Sequence, residues 1–256
     1  MEGSPPKHAS TVILVRPEAG GKFEVFLTRR PPDMEVLAGF YVFPGGILEQ
    51  KDYSEQMLRR CRGQSSSEAQ RTLGNELSPE LSLGHSVAAV RELFEEVGIL
   101  FSVTENGGPL ELGDNNLKKR LAEKRRTLVD GGMDFPSLLE SEGLYCDLSR
   151  PVYFSHRVTP EKHAVRFDTR FYLARLPSDQ YPLFSSQEVA ESLWLTPAEV
   201  LQRSEKNGFA LMPPTVIALR TLAEFGSWQK LCHQYPLERE SPRRKDGPPL
   251  RSPRSL

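Results

Sequence analysis

Cysteine is scarce in this 256-residue chain, and its three copies are scattered. Cys61, Cys146 and Cys232 are odd in number and form no Cys-x-x-Cys pair. That spacing excludes a disulfide framework and a cysteine zinc site, and it fits reduced thiols in a cytosol-like compartment. An excess of one charge is missing too: 33 Lys and Arg face 34 Asp and Glu, so the composition gives no reason to expect nucleic acid as a partner. Nor is there an apolar run near the roughly 20 residues that a membrane-spanning helix needs. Met1 to Ser10 is polar and contains proline, unlike a secretory leader. The expectation is a cytoplasmic chain with no membrane or nucleic-acid partner, long enough for one well-buried domain with an appendage.

What is present is concentrated between Gly84 and Phe101, where Arg91-Glu92-Leu93-Phe94-Glu95-Glu96-Val97-Gly98 stands out. On a helix at about 100° per residue, Glu92, Glu95 and Glu96 share one face, while Val87, Val90, Leu93, Phe94 and Val97 lie opposite. Three carboxylates on one face repel each other by a few tenths of a kcal/mol per i, i+4 pair, and a divalent cation reverses that sign. Hard oxygen donors on a rigid face suit Mg²⁺ or Mn²⁺; the plainer alternative is a solvated acidic face. Arg91, one turn before Glu95, is placed to hold that carboxylate in one orientation, and Gly98 to end the helix. Upstream, Phe40-Tyr41-Val42 reads as a strand leading into Phe43-Pro44-Gly45-Gly46. Such a turn is either ordinary punctuation or a place where backbone N–H groups approach a phosphate.

Together these two segments resemble the Nudix hydrolase signature: Gly, five residues, Glu, seven residues, then Arg-Glu-apolar-x-Glu-Glu-x-Gly-apolar. Gly46 fits its first position and Arg91 to Ile99 its whole second half. Two departures stand out. Asp52 occupies the place of the first Glu, with Glu49 close by, and about 31 extra residues separate it from Arg91. That interruption, with Arg59, Arg60, Arg62 and Ser65-Ser66-Ser67, reads as a solvent-exposed excursion with no second core. A box split in this way is similar to the branch that includes the acyl-coenzyme A diphosphatases. Leu27, Thr28, Arg30, Gly39 and Phe43-Pro44-Gly45-Gly46 also match that branch's upstream pattern, while Phe26, Pro31 and Glu35 do not. Glu35 reverses the charge of a patterned arginine.

The resemblance implies an α+β Nudix fold, an α/β/α sandwich around a mixed sheet with helical insertions. It implies Glu92, Glu95 and Glu96 as ligands of Mg²⁺ or Mn²⁺, with Arg91 as their orienter. Arg30, Gly45, Gly46 and Arg170 become candidate contacts to a small nucleotide diphosphate, and Glu188 a candidate extra base or ligand.

The remaining pattern supplies elements for such a fold. Residues 1–9 and a Ser-, Pro- and Arg-rich tail, 237–256, are expected to be disordered, with the domain over 10–236 and insertions at about 53–84 and 105–148. Thr11 to Val15 and Phe23 to Arg29 read as strands, and Leu117 to Val129 and Phe135 to Glu142 as helices of the second insertion. In Phe167 to Leu176, alternation puts Arg166, Asp168 and Arg170 on one face, either a phosphate site or a salt-bridged sheet surface. Thr196-Pro197 reads as a capped helix start, and a further helix is expected from Pro213 or Pro214 through Phe225. The ending Arg254-Ser255-Leu256 does not satisfy a Ser-Lys-Leu type address. Three functions stay open: a coenzyme A or acyl-coenzyme A diphosphatase; a hydrolase of another nucleotide such as ADP-ribose, a dinucleotide or a nucleoside triphosphate; and a non-catalytic nucleotide-binding Nudix module.

Overall fold

In the computed structural model, residues 5–34, 37–183, 189–206 and 208–237 are described. Strand β1 (Lys7–Pro17) is the apolar run around Val12-Ile13-Leu14-Val15, and all four of these side chains are fully buried. It begins at Lys7, so residues 7–9, read from the sequence as part of a disordered N-terminus, are strand. The diglycine turn at Gly20-Gly21, both with φ near 75°, leads into β2 (Phe23–Arg29), which pairs antiparallel with β1. Short β3 (Tyr41–Val42) extends β2, and β4 (Gly45–Ile47) lies antiparallel to the start of β1.

After a 3₁₀ turn at Gln50–Tyr53 come α1 (Glu55–Arg59), β5 (Cys61–Arg62) and α2 (Ser66–Leu73), then the long helix α3 (Pro79–Val97). A second excursion comprises β6 (Ser102–Thr104), α4 (Asn115–Val129), α5 (Phe135–Ser141) and β7 (Leu144–Asp147). The chain finishes with β8 (Val152–Val158), β9 (Phe167–Arg175), β10 (Glu191–Leu195), α6 (Pro197–Ser204), α7 (Pro213–Phe225) and α8 (Trp228–Gln234).

The main sheet runs β10-β2-β1-β9-β8, with β1 and β9 parallel and the other pairs antiparallel. Because side chains alternate along each strand, the sheet has two buried faces. Val12, Leu14, Phe26, Tyr172 and Ala174 pack under α3, whereas Ile13, Val15, Val25, Leu27 and Leu173 pack under α6, α7 and α8. The expected sandwich around a mixed sheet is therefore present.

The interruption before α3 departs from the sequence reading. Met57, Cys61 and Ala69 are buried in the same core that α3 covers, so this segment is not a solvent-exposed excursion. The reason lies downstream: β5 pairs in parallel with β7, and β6 joins them in a second, three-stranded sheet. The two inserts are thus one packed body against α3. Helix α3 also starts at Pro79, inside the stretch read as insertion. Of the tail, only Leu237 lies among the described residues, and it is buried. No helix of the described residues is long and apolar enough to cross a membrane.

Candidate active site

Helix α3 starts where Ser78 accepts a hydrogen bond from the Leu81 N–H at 3.1 Å and Pro79 takes the first helical position. It ends at Gly98, whose φ of 76° is left-handed and whose N–H bonds the Phe94 carbonyl at 2.9 Å. Val87, Val90, Leu93, Phe94 and Val97 are buried, and the opposite face carries Glu92, Glu95 and Glu96 as the periodicity requires.

Arg91 organises that face. Its side chain is only 4% exposed, and each guanidinium N–H has an acceptor. Nε and Nη2 grip Asp52 bidentately at 2.8 and 3.0 Å, and Nη1 reaches Glu92 Oε1 and Glu95 Oε2, both at 2.9 Å. Nη2 also donates to the Ile47 carbonyl at 3.0 Å. Burial works against the charge on Arg91, but Asp52, Glu92 and Glu95 outweigh it and keep the group firmly protonated. Asp52 in turn accepts from the Glu49 N–H at 2.8 Å, which fixes the 3₁₀ turn that delivers it. The sequence anticipated Arg91 on Glu95. Its grip on Asp52, 39 residues earlier, was missed, and the available signal was Asp52's place six positions after Gly46.

Gly45 and Gly46 meet carboxylates directly. The Gly45 N–H donates to Glu96 Oε2 at 3.3 Å, so its donor is already engaged on a carboxylate. A Cβ at Gly46 would stand 2.3 Å from Glu92 Oε1 and 2.5 Å from its Cδ. The two glycines therefore let β4 pass close beneath the acidic face. The close approach expected of this turn is therefore made to the acidic helix face, with the Gly45 N–H on a carboxylate.

Asp52, Glu92 and Glu95 bring three acids to one arginine, and Glu96 lies beside them on the same helix face. Burial, opposed by Arg91 and reinforced by Glu95, pushes the Glu92 carboxyl up to about 7, and burial likewise raises Glu95. Among the described residues, no three His, Cys, Asp or Glu side chains already converge as a metal cage. The donor set nonetheless fits a hard divalent cation: oxygen donors only, half-buried at Glu92 and Glu95 and buried at Glu96, and carrying more negative charge than Arg91 cancels. Glu92, Glu95 and Glu96 are the residues that would hold it.

The other sequence candidates fall elsewhere. Arg30 follows β2 directly, and its backbone closes a loop with Gly39 and Phe40 at 3.1 and 3.0 Å. Arg170 is buried, with Nη1 2.5 Å from Asp168 Oδ1. The His156 ring also bonds Asp168, and His8 Nδ1 lies 3.5 Å from it. Burial opposes ionisation of Asp168, but Arg170 and His156 hold its carboxyl below the usual range. This sheet face thus carries an ion-paired cluster centred on Asp168. Glu35 and Glu188 lie outside the described residues.

Residues 6–222 match the family model described as the NUDT19 Nudix domain. The chain belongs to that Nudix family. It is 28% identical over 249 residues to the acyl-coenzyme A diphosphatase NUDT19 of Gallus gallus, covering 85% of this chain and 65% of that protein. With the human protein of the same name the identity is 26% over 253 residues, covering 88% and 66%. A putative nudix hydrolase 7 of Caenorhabditis elegans is 26% identical over 211 residues, covering 82% and 59%. The chain thus spans just under two thirds of the length of these relatives. Among solved structures, a Nudix hydrolase from Alicyclobacillus acidocaldarius superposes with a TM-score of 0.72 at 25% identity, covering 90% of this chain and 96% of that one.

Proposed function

We propose that this Nudix domain hydrolyses the diphosphate bond of coenzyme A or acyl-coenzyme A with the help of Mg²⁺ or Mn²⁺. The observation that carries the reading is the Arg91 hub. One buried guanidinium locks Asp52, Glu92 and Glu95 beside Glu96 on a single helix face. A domain that only binds nucleotides has no use for so complete a carboxylate set. Similarity to proteins named acyl-coenzyme A diphosphatase supports the substrate class, as do Thr28, Arg30 and Gly39 in the upstream pattern.

In this reading Glu92, Glu95 and Glu96 hold the cation, which when bound neutralises the diphosphate and lowers the pKa of a coordinated water. Arg91 stays off the substrate and keeps two of these carboxylates in register. Gly46 leaves Glu92 room, and Gly45 steadies Glu96. A carboxylate, Glu92 or Glu188, accepts the proton of the attacking water. Water adds across one P–O–P linkage, and two phosphate monoesters leave.

The test is a substrate panel with Mg²⁺ or Mn²⁺: coenzyme A, acyl-coenzyme A, ADP-ribose, NADH, diadenosine polyphosphates and nucleoside triphosphates, with products identified by mass. The expected result is 3′,5′-ADP plus phosphopantetheine or its acyl ester. Turnover confined to the other nucleotides would replace the substrate assignment, a result that Glu35 in the place of a patterned arginine makes worth seeking. No turnover of any diphosphate would overturn hydrolysis and leave the nucleotide-binding module.

A further inference from the structure

We propose that Arg125, supplied by the second insert, is a positioning residue for the metal-binding turn of α3; the proposal rests on the metal role of Glu92, Glu95 and Glu96 proposed above. The last turn of α3 is an electrostatic problem. A helix C-terminus gathers unpaired carbonyls and partial negative charge, which cations relieve and carboxylates aggravate. This helix places Glu95 and Glu96 there and has no Lys or Arg of its own in that turn. Gly98 satisfies the Phe94 carbonyl through its backbone, but it adds no charge.

Arg125 comes from α4, a different element 30 residues further on. Its Nε donates to the Phe94 carbonyl at 2.8 Å, and Nη2 donates to the Glu95 carbonyl and, at 3.1 Å, to that of Glu96. One planar guanidinium thus spans three successive carbonyls, two of them belonging to residues that carry the ligating carboxylates. The contact fixes backbone positions from which those side chains reach, and it places a cation behind them without consuming a carboxylate oxygen. Both Glu95 and Glu96 act on Arg125 electrostatically, offsetting part of the cost of its burial.

The rest of α4 holds that guanidinium still. Leu121 and Leu128 lie one turn to either side of Arg125 and are buried in the core shared with α3. On the outer side, Arg120 and Lys124 both pair with Glu142, and Lys124 also bonds Ser141 of α5. The helix reads as basic, but three of its cations have fixed structural partners. The insert therefore completes the metal helix, and its attachment there gives the excursion a reason.

The experiment measures Mn²⁺ affinity by electron paramagnetic resonance, thermal stability, and kcat against KM on the full chain. Four proteins are compared: wild type, Arg125→Met, Arg125→Lys and Leu121→Ala, the last loosening α4 while leaving the guanidinium. Outer partners of metal ligands typically change affinity by about 10- to 100-fold. Expected for Arg125→Met is about a tenfold weaker Mn²⁺ complex and a lower kcat at nearly unchanged KM, with Arg125→Lys intermediate. Leu121→Ala should lose melting temperature yet keep Mn²⁺ affinity. Wild-type affinity in Arg125→Met, or equal weakening in Leu121→Ala, would overturn the proposal alone. A wild-type chain that binds no Mn²⁺ would overturn the metal reading and this inference with it.

Discussion

Replacing Gly46 by alanine adds a single carbon, and the structure says where it goes. That Cβ would stand 2.3, 2.5 and 2.6 Å from Oε1, Cδ and Oε2 of Glu92. Non-bonded heavy atoms settle at about 3.5 Å, so the carboxylate has to retreat by roughly 1 Å. Gly46 does not need a positive φ, so alanine meets no backbone penalty there. The clash falls on the far end of a flexible side chain that can swing toward solvent, so the fold should lose only about 1 kcal/mol, or roughly 3 °C. Activity is another matter. The displaced group is a proposed ligand held to Arg91 at 2.9 Å, and a misplacement of about 1 Å costs about 10²-fold in rate, some 2.7 kcal/mol of barrier. The assay is kcat/KM on the diphosphate that the wild type cleaves, at saturating Mn²⁺, beside a thermal melt. Gly113→Ala is the control, since a Cβ there meets nothing within 4 Å and φ is not positive. Activity of Gly46→Ala within about threefold of wild type would refute the argument that this glycine exists to clear Glu92.

Other perturbations probe the same face. Glu96→Gln keeps an acceptor for the Gly45 N–H but removes a charge, and kcat should fall by at least about 10²-fold with the melting temperature little changed; near-normal turnover would exclude Glu96 as a ligand. Arg91→Met strands Asp52, whose side chain is 1% exposed, and should destabilise by about 3–5 kcal/mol in urea unfolding. Adding Asp52→Asn should recover part of that loss, and strict additivity would mean that the pair is not coupled. For the metal-free protein, the Glu92 carboxyl titrates near 7 when folded against an ordinary 4.5, so the folded state holds the proton more tightly. Its contribution is fully present below 4.5 and is lost as pH rises to 7, about 3 kcal/mol in all. Glu92→Gln should flatten that slope in a pH series of urea melts, and Mn²⁺ at neutral pH should reverse it; an unchanged slope would place the titration elsewhere.

Much of this site is legible in the sequence because helical periodicity is local. Seven consecutive residues put the carboxylates on one face, and Gly98 marks the end without any knowledge of the sheet. The Pro213-Pro214 and Thr196-Pro197 pairs likewise announced α7 and α6. What escaped depends on contacts distant along the chain. Asp52 looks like a flaw in the signature until a 3₁₀ turn lays it against Arg91. The interruption from 53 onward looks solvent-exposed because its strand β5 is two residues long and finds its partner only in β7. Arg125 is hidden for a related reason: in a helix rich in Lys and Arg, one cation facing inward resembles its neighbours. The clue was its place between Leu121 and Leu128, in an apolar stripe.

The central pairing of β1 with β9 has a consequence for how the molecule comes into being. It joins residues 7–15 to 167–175, the first strand to one made far later in synthesis. A chain leaving the ribosome carries β1 for some 150 residues, tens of seconds at slow elongation rates, before its parallel neighbour exists. In that interval the buried run Val12 to Val15 can pair on one side only, with β2 and β4, and its other edge stands open. The carboxylate helix emerges midway, ahead of the sheet that will seat it and of Arg125. Birth order therefore makes this a slow folder with an adhesive edge, for which chaperones or cool expression should raise yield more than any change at the site.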